Sequence, residues 1–218
     1  MSCIEVRGKV LKKYKEFARM VAESVIESMN FDQLLDIEEE IRMPILFYET
    51  IPDEQDKRIA GYARDYNRGL IIVVNKWDSI KKDDKTMKKY EEKIRSHFQF
   101  MDFAPILFTS ALNNERVHIL LNKIGFVYQN FTRRVNTSVL NDVLMDAVLM
   151  NQPPVFNGNR LSLSYATQSD VMPPSFVLFV NSEKHMHFSY LRYLENKIRD
   201  TFEFEGAPIK FVLRKKED

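Results

Sequence analysis

The 218-residue chain predicts an α/β fold in two parts, a parallel sheet with its helices followed by a smaller α+β layer. Three observations lead there. Residues 70–74, Leu-Ile-Ile-Val-Val, run without interruption between Gly69 and a polar turn, the pattern of a strand buried on both faces. Short apolar runs alternate three times with segments of helical periodicity between residues 45 and 130, which argues for parallel strands joined by right-handed crossovers. Beyond a polar stretch at residues 132–136 the order changes to helix, two strands, helix and strand. The boundary is therefore placed between a first domain, residues 1–131, and a second, residues 132–218.

Taken in order, residues 1–13 are short and mixed, and the stretch after them is amphipathic. Tyr14, Phe17, Val21, Val25 and Met29 recur at helical spacing, and Glu16, Glu23 and Glu27 dilute any basic face, so core packing is expected rather than a membrane surface. The acidic residues 36–42 read as solvated surface. Residues 45–48 form a short strand after Pro44, and residues 53–64 a helix with Ile59 and Tyr62 or Ala63 inward. After the charged residues 81–85 comes a helix with Met87, Tyr90, Ile94 and Phe98 on one face. A strand at 104–109 and a helix at 117–130, with Val117, Leu120, Leu121, Ile124 and Val127 inward, complete the first part.

The second part starts with a helix at 137–150, whose apolar positions are Val139, Leu140, Val143, Leu144 and Ala147. Turns follow at Pro153-Pro154 and Asn157-Gly158, then a strand at 160–167. A loop holding Pro173-Pro174 leads to a strand at 176–180, a helix at 187–201 and a last strand at 209–213.

Composition narrows the function classes. A hydrophobic content of 44% is that of an ordinary folded domain, and a net charge of +1 with 29% charged residues gives no global basic footprint, so any nucleic-acid contact must come from local patches. One cysteine, Cys3, makes no intramolecular disulfide, and no apolar run is long enough for a membrane span or a signal-peptide core. The cytoplasm is the expected compartment. His185 and His187 lack a third ligand at metal-site spacing, and Cys3 has no base beside it, so neither a metal centre nor nucleophilic catalysis is expected.

The turn after the buried strand carries the chemistry. Asn75-Lys76-Trp77-Asp78 lies at the carboxyl end of that strand, the edge where open α/β sheets bind ligands. The Asp78 carboxylate can accept from the ring N–H and the exocyclic amino group of guanine together, a donor pair that adenine lacks. The Lys76 stem is suited to lie over the base plane, and the Asn75 amide to tie this turn to neighbouring loops. A second strand, at 104–109, ends in Ser110 and Ala111, small residues that let a backbone N–H come close to the guanine carbonyl oxygen. Asp and Ser are also ordinary helix N-caps, but the double match in this context points to a guanine reader.

The phosphate half is missing. The six glycines stand at positions 8, 61, 69, 125, 158 and 206, and the only Gly-Lys pair, Gly8-Lys9, is followed by Val10 with Cys3 where the first glycine of a P-loop belongs. The sequence contains no P-loop.

Residues 54–63, Glu-Gln-Asp-Lys-Arg-Ile-Ala-Gly-Tyr-Ala, the Asn75–Asp78 turn and Thr109-Ser110-Ala111-Leu112 resemble the second GTPase domain of the Der (EngA) family. The likeness continues through residues 161–168, 173–181 and 187–196, which resemble that family's C-terminal KH-like domain. It covers residue 52 to the end, and Arg7-Gly8-Lys9-Val10 faintly resembles the segment after the family's Asp-x-x-Gly motif. The resemblance implies an incomplete P-loop-NTPase-like sheet followed by a KH-like domain. It also implies a bacterial GTPase acting in maturation of the large ribosomal subunit, with GTP or GDP contacted through the base by Asn75, Lys76, Asp78, Ser110 and Ala111.

Pro44 departs from the unbroken strand that the family has here. The family's missing strands would flank residues 45–48, so an unpaired outer edge, and with it self-association or a tight partner, is expected. No Gly-x-x-Gly loop of an RNA-clamping KH domain is present, which favours a rigid docking surface for ribosomal RNA or protein. Arg133, Arg134, Arg160, Lys210, Arg214, Lys215 and Lys216 are candidates for phosphate contacts. Three functional readings stand side by side: the C-terminal part of a Der-like GTPase, a non-catalytic ribosome-docking adaptor, and a gene remnant.

Overall fold

The structure, a computed structural model, describes the backbone of residues 45–48 and residues 54–156 and 158–216. The expected N-terminal amphipathic helix, the acidic stretch 36–42, Cys3 and the Gly8-Lys9 pair lie outside the described residues. The chain divides into two compact units, residues 1–128 and 129–218.

In the first unit, strands β1 (Ile45–Tyr48), β2 (Ile71–Val74) and β3 (Ile106–Phe108) form a parallel sheet in that order. Its helices are α1 (Glu54–Asp65), α2 (Thr86–His97) and the start of α3 (Val117–Phe131). Strand β2 is central and all four of its residues are buried, because both of its faces are covered, as its unbroken apolar run requires. Ile72 stands opposite Ile106 and Val74 opposite Phe108. One core gathers Leu70, Ile72, Val74, Trp77, Ile94, Phe98, Met101 and Phe108. The start of α2 is fixed locally: Asp83 accepts from the Thr86 hydroxyl at 2.6 Å and from the Lys85 N–H at 2.9 Å. These bonds hold its carboxyl below the usual carboxylate range.

The second unit contains α4 (Thr137–Met150), a two-residue hairpin of β4 (Val155–Phe156) and β5 (Asn159–Arg160), β6 (Leu163–Val171), β7 (Pro174–Val180), α5 (Phe188–Phe202) and β8 (Lys210–Lys215). The sheet order is β6-β7-β8, with β6 antiparallel and β8 parallel to β7. Asn136 caps α4, its side chain accepting from the N–H of Ser138 at 2.8 Å and of Val139 at 3.3 Å. Asn141 pins α4 to β6 by donating to the Ala166 carbonyl at 2.9 Å and accepting from the Ala166 N–H at 2.7 Å. Leu140, Leu144, Phe176, Leu178, Val180, Tyr190, Leu194, Ile198 and Phe204 lie in one core cluster.

Two differences from the sequence expectation concern strands. The strand expected at 160–167 starts at Leu163, Arg160 lying in the short β5, and runs on to Val171, and its partner begins at Pro174, a strand start where the missing proline N–H costs no ladder bond. The polar residues Gln168, Ser169 and Asp170 are strand residues because Gln168, itself buried, meets other backbone. It accepts from the Val135 N–H at 2.8 Å and donates to the carbonyls of Arg133 at 2.8 Å and Asp170 at 3.1 Å.

Tyr190 gives this unit a pH dependence. Burial, with a smaller contribution from Tyr193, pushes its phenol up from 10.0 to about 12, and its hydroxyl donates to the Asn151 carbonyl at 2.8 Å. The folded state therefore favours the protonated phenol. Stability from this group is complete below pH 10 and is lost as pH rises from about 10 towards 12. Urea unfolding between pH 9 and 12 is expected to show that decline, and Tyr190→Phe is expected to make it shallower.

Candidate functional site

Strand β2 ends on Val74, and the next four residues turn back beneath the end of β3. The connection is made by backbone: the Thr109 N–H donates to the Val74 carbonyl at 2.8 Å, and the Trp77 N–H to the Thr109 carbonyl at 3.0 Å. Lys76 sits between these bonds with φ of 58°, in the left-handed region. That reversal leaves Lys76 exposed and sends Trp77 into the core, where it is 2% exposed. The indole meets Tyr90 edge-on at 5.3 Å and Phe108 at 4.4 Å. Residues 77–79 then make a single turn of 3-10 helix, closed by the Ser79 hydroxyl donating to the Lys76 carbonyl at 2.8 Å.

Two side-chain bonds join this turn to the loop after β3. The Ser110 hydroxyl donates to Asp78 Oδ1, and the Ala111 N–H donates to Asn75 Oδ1 at 3.2 Å. Asn75, Thr109, Ser110 and Ala111 are buried, and Asp78 is half-buried. The second loop is shaped by its own backbone. Ser110 and Glu115 exchange N–H to carbonyl bonds at 3.1 and 2.8 Å, and Asn114 and Arg116 both take positive φ. Asn113 donates its N–H to Ser110 Oγ at 3.2 Å, so the hydroxyl aimed at Asp78 is held from both sides.

The five residues expected at the site, Asn75, Lys76, Asp78, Ser110 and Ala111, thus stand on two adjoining loops at the carboxyl ends of β2 and β3. Asn75 ties the loops together. The Ala111 N–H, which sequence reasoning offered to a base carbonyl, is given to Asn75. Asp78 Oδ2 has no hydrogen-bond partner among the described residues. Sequence reasoning left Trp77 without a role; the signal for it is an aromatic residue following a buried strand at the helical turn's first position.

The other candidates separate by their partners. Arg133 donates to the Phe202 carbonyl at 2.9 Å and to Asn130 Oδ1 at 2.8 Å, which makes it a packing residue of the second unit. Arg160 donates to Gln152 at 2.5 Å. His187 caps α5, accepting from the Ser189 N–H at 3.3 Å. Among the described residues no group of three or more His, Cys, Asp or Glu side chains is placed to hold a metal ion. No described helix is long and apolar enough to cross a membrane.

Residues 134–214 match the family model described as the KH-domain-like, C-terminal part of EngA bacterial GTPase enzymes. Over 208 residues, 95% of its length, the chain is 49% identical to the GTPase Der of a Geobacillus species, strain WCH70. The chain belongs to the Der (EngA) family. The Der proteins of Halalkalibacterium halodurans and Bacillus cereus strain G9842 are 56% and 57% identical over 165 and 161 residues, or 76% and 74% of this chain. The chain spans about half the length of the Der relatives it matches: 45% of the Geobacillus protein, 38% of the Halalkalibacterium protein and 37% of the Bacillus protein. Among solved structures, Era in complex with MgGDPNP and a 16S ribosomal RNA fragment aligns over 79% of this chain and 64% of its own, with 14% identity and a TM-score of 0.33. The fold is that of a Der C-terminal portion: a GTPase-like parallel sheet and a KH-like domain.

Proposed function

We propose that residues 1–131 form the guanine-recognition part of a GTP-binding domain and residues 132–218 a KH-like domain that docks on the large ribosomal subunit, in the service of ribosome assembly in the bacterial cytoplasm. The observation that carries the nucleotide half of this reading is the Asp78–Ser110 bond. It fixes the carboxylate through one oxygen and leaves Oδ2 without a hydrogen-bond partner among the described residues, on a half-buried group at a strand end. A carboxylate oxygen has two lone pairs, so Oδ1 retains capacity beside Ser110, and the pair of oxygens fits the guanine N–H and amino group. Lys76 lies over the base. The Ala111 N–H, at the long end of hydrogen-bond range from Asn75, is shared with the guanine carbonyl.

Hydrolysis of GTP depends on groups placed at the phosphates, and this sequence carries no P-loop to place them. Hydrogen bonds to charged groups contribute about 1.5–3 kcal/mol each, and a millimolar complex needs about 4 kcal/mol, so base contacts alone give weak affinity. Calorimetric titration with GDP, with ADP as control, is expected to give weak saturable binding that Asp78→Ala abolishes. Low-micromolar binding or magnesium-dependent turnover by this chain alone would contradict the reading.

A second reading is a non-catalytic adaptor that docks through residues 132–218 and uses the first part as a spacer. Absence of GDP binding by a folded chain selects it. Self-association through β1 fits either reading, since no strand among the described residues pairs with its outer side.

A further inference from the structure

The second unit's sheet has one face against its helices and another that the nucleotide reading does not use. Phe176, Leu178 and Val180 of β7, with Phe211 and Leu213 of β8, pack in the core with α4 and α5. Side chains alternate along a strand, so the intervening residues stand on the opposite face. Register aligns them in rows across the three strands. Tyr165, Phe179 and Arg214 lie abreast in one row, and Thr167, Val177 and Val212 in the next. Asp170, Ser175 and Lys210 form the row beyond these, with Asp170 its one acidic member.

Two properties coincide on this face. The Tyr165 and Phe179 rings are stacked, with centroids 4.1 Å apart and planes within 12°, and Tyr165 is 43% exposed. Along β8 and just past it run Lys210, Arg214 and Lys216, all exposed and none in an ion pair with a described residue. Lys216 continues the strand by donating its N–H to the Val180 carbonyl at 2.9 Å. A nearly parallel ring pair accepts a further flat π-face as an extension of its stack. An adjacent line of exposed cations attracts an anionic backbone. A nucleic acid strand with unstacked bases offers both together, repeated along its length.

We propose that this second face of the sheet, with Tyr165 and Phe179 as the stacking platform and Lys210, Arg214 and Lys216 as phosphate contacts, binds single-stranded RNA without sequence specificity. The proposal rests on the ribosome-docking reading and gives that docking a surface and a mode. It explains how a KH-like domain without a Gly-x-x-Gly clamp engages RNA.

The test is fluorescence anisotropy of the full chain with a labelled single-stranded 12-nucleotide RNA, and the same RNA as a duplex, at two salt concentrations. Single strands are expected to bind more tightly than duplex. Tyr165→Ala is expected to weaken binding by about fivefold to 150-fold with little change in salt dependence, while Tyr165→Phe keeps the ring and stays within about twofold. Arg214→Ala is expected to weaken binding and lower the salt slope by about one phosphate contact. If Tyr165→Ala does not fold by circular dichroism, the Arg214→Ala slope and the single-strand preference decide alone.

Equal binding of single-stranded and duplex RNA, or no loss on Tyr165→Ala in a folded chain, overturns the proposal. Sedimentation with large ribosomal subunits separates it from the reading beneath it. Subunit binding that is untouched by Tyr165→Ala and Arg214→Ala leaves docking intact and removes this face. Absence of both RNA and subunit binding by the unaltered chain removes both.

Discussion

Trp77→Ala is expected to destabilise the first unit by about 3–5 kcal/mol, the usual cost of removing a large aromatic side chain from a core. The indole is 2% exposed and lies among Tyr90, Phe108, Ile94 and Val74, on three different elements. It also holds the turn that carries Lys76 and Asp78, so the loss is felt at the site as well as in the core. Urea unfolding followed by circular dichroism checks this, with the transition of the first unit moving to lower denaturant. Trp77→Phe, which keeps an aromatic ring, is expected to recover part of the difference. The chain has one tryptophan, so in the unaltered protein indole fluorescence reports the first unit alone. A shift of well under 1 kcal/mol would mean that this turn does not depend on the core beneath it.

Gln168→Leu is expected to cost the second unit roughly 2–4 kcal/mol, because a buried donor or acceptor left without a partner costs about 1–3 kcal/mol. The side chain satisfies the Val135 N–H and the Arg133 and Asp170 carbonyls at once, joining the segment that leads into α4 to strand β6. Leucine has similar volume and none of these partners. Gln168→Glu is expected to do no better: it keeps the acceptor for Val135 but turns an oxygen towards two carbonyls. Circular dichroism in urea reads the loss, and the Trp77 fluorescence transition serves as the control that stays in place. Near-native stability of both variants would show that the Gln168 bonds are replaceable.

These two residues mark where the sequence is informative and where it is not. Strand β2 is legible because burial on both faces leaves five apolar residues in a row, and α4 because Asn136 caps a periodic run at the position where it is found. The Asn75, Asp78, Ser110 and Ala111 positions are legible as a pattern, since spacing after two strand ends brings them to one edge. The left-handed backbone at Lys76 is not, because it is imposed by two backbone bonds that join Thr109 to the flanking Val74 and Trp77, a tertiary constraint. Gln168 reads as loop because hydrophobic periodicity does not register a polar residue buried for its hydrogen bonds. Arg133 reads as a surface cation for the same reason, although its guanidinium is spent on Phe202 and Asn130.

The parallel pairing of β8 on β7 has a consequence for how the chain comes off the ribosome. Residues 175–180, Ser-Phe-Val-Leu-Phe-Val, carry no charge and no proline, the composition that joins other strands when left bare. Their hairpin partner β6 is already made when they emerge, but their other side waits for Lys210–Lys215, about thirty residues further along the chain. During synthesis the middle strand of the sheet is thus an open edge until residues 210–215 have been made, with the whole of α5 synthesised in between. A nick or an early stop between residues 203 and 210 therefore does more than shorten the protein: it converts the centre of the second unit into a template for aggregation.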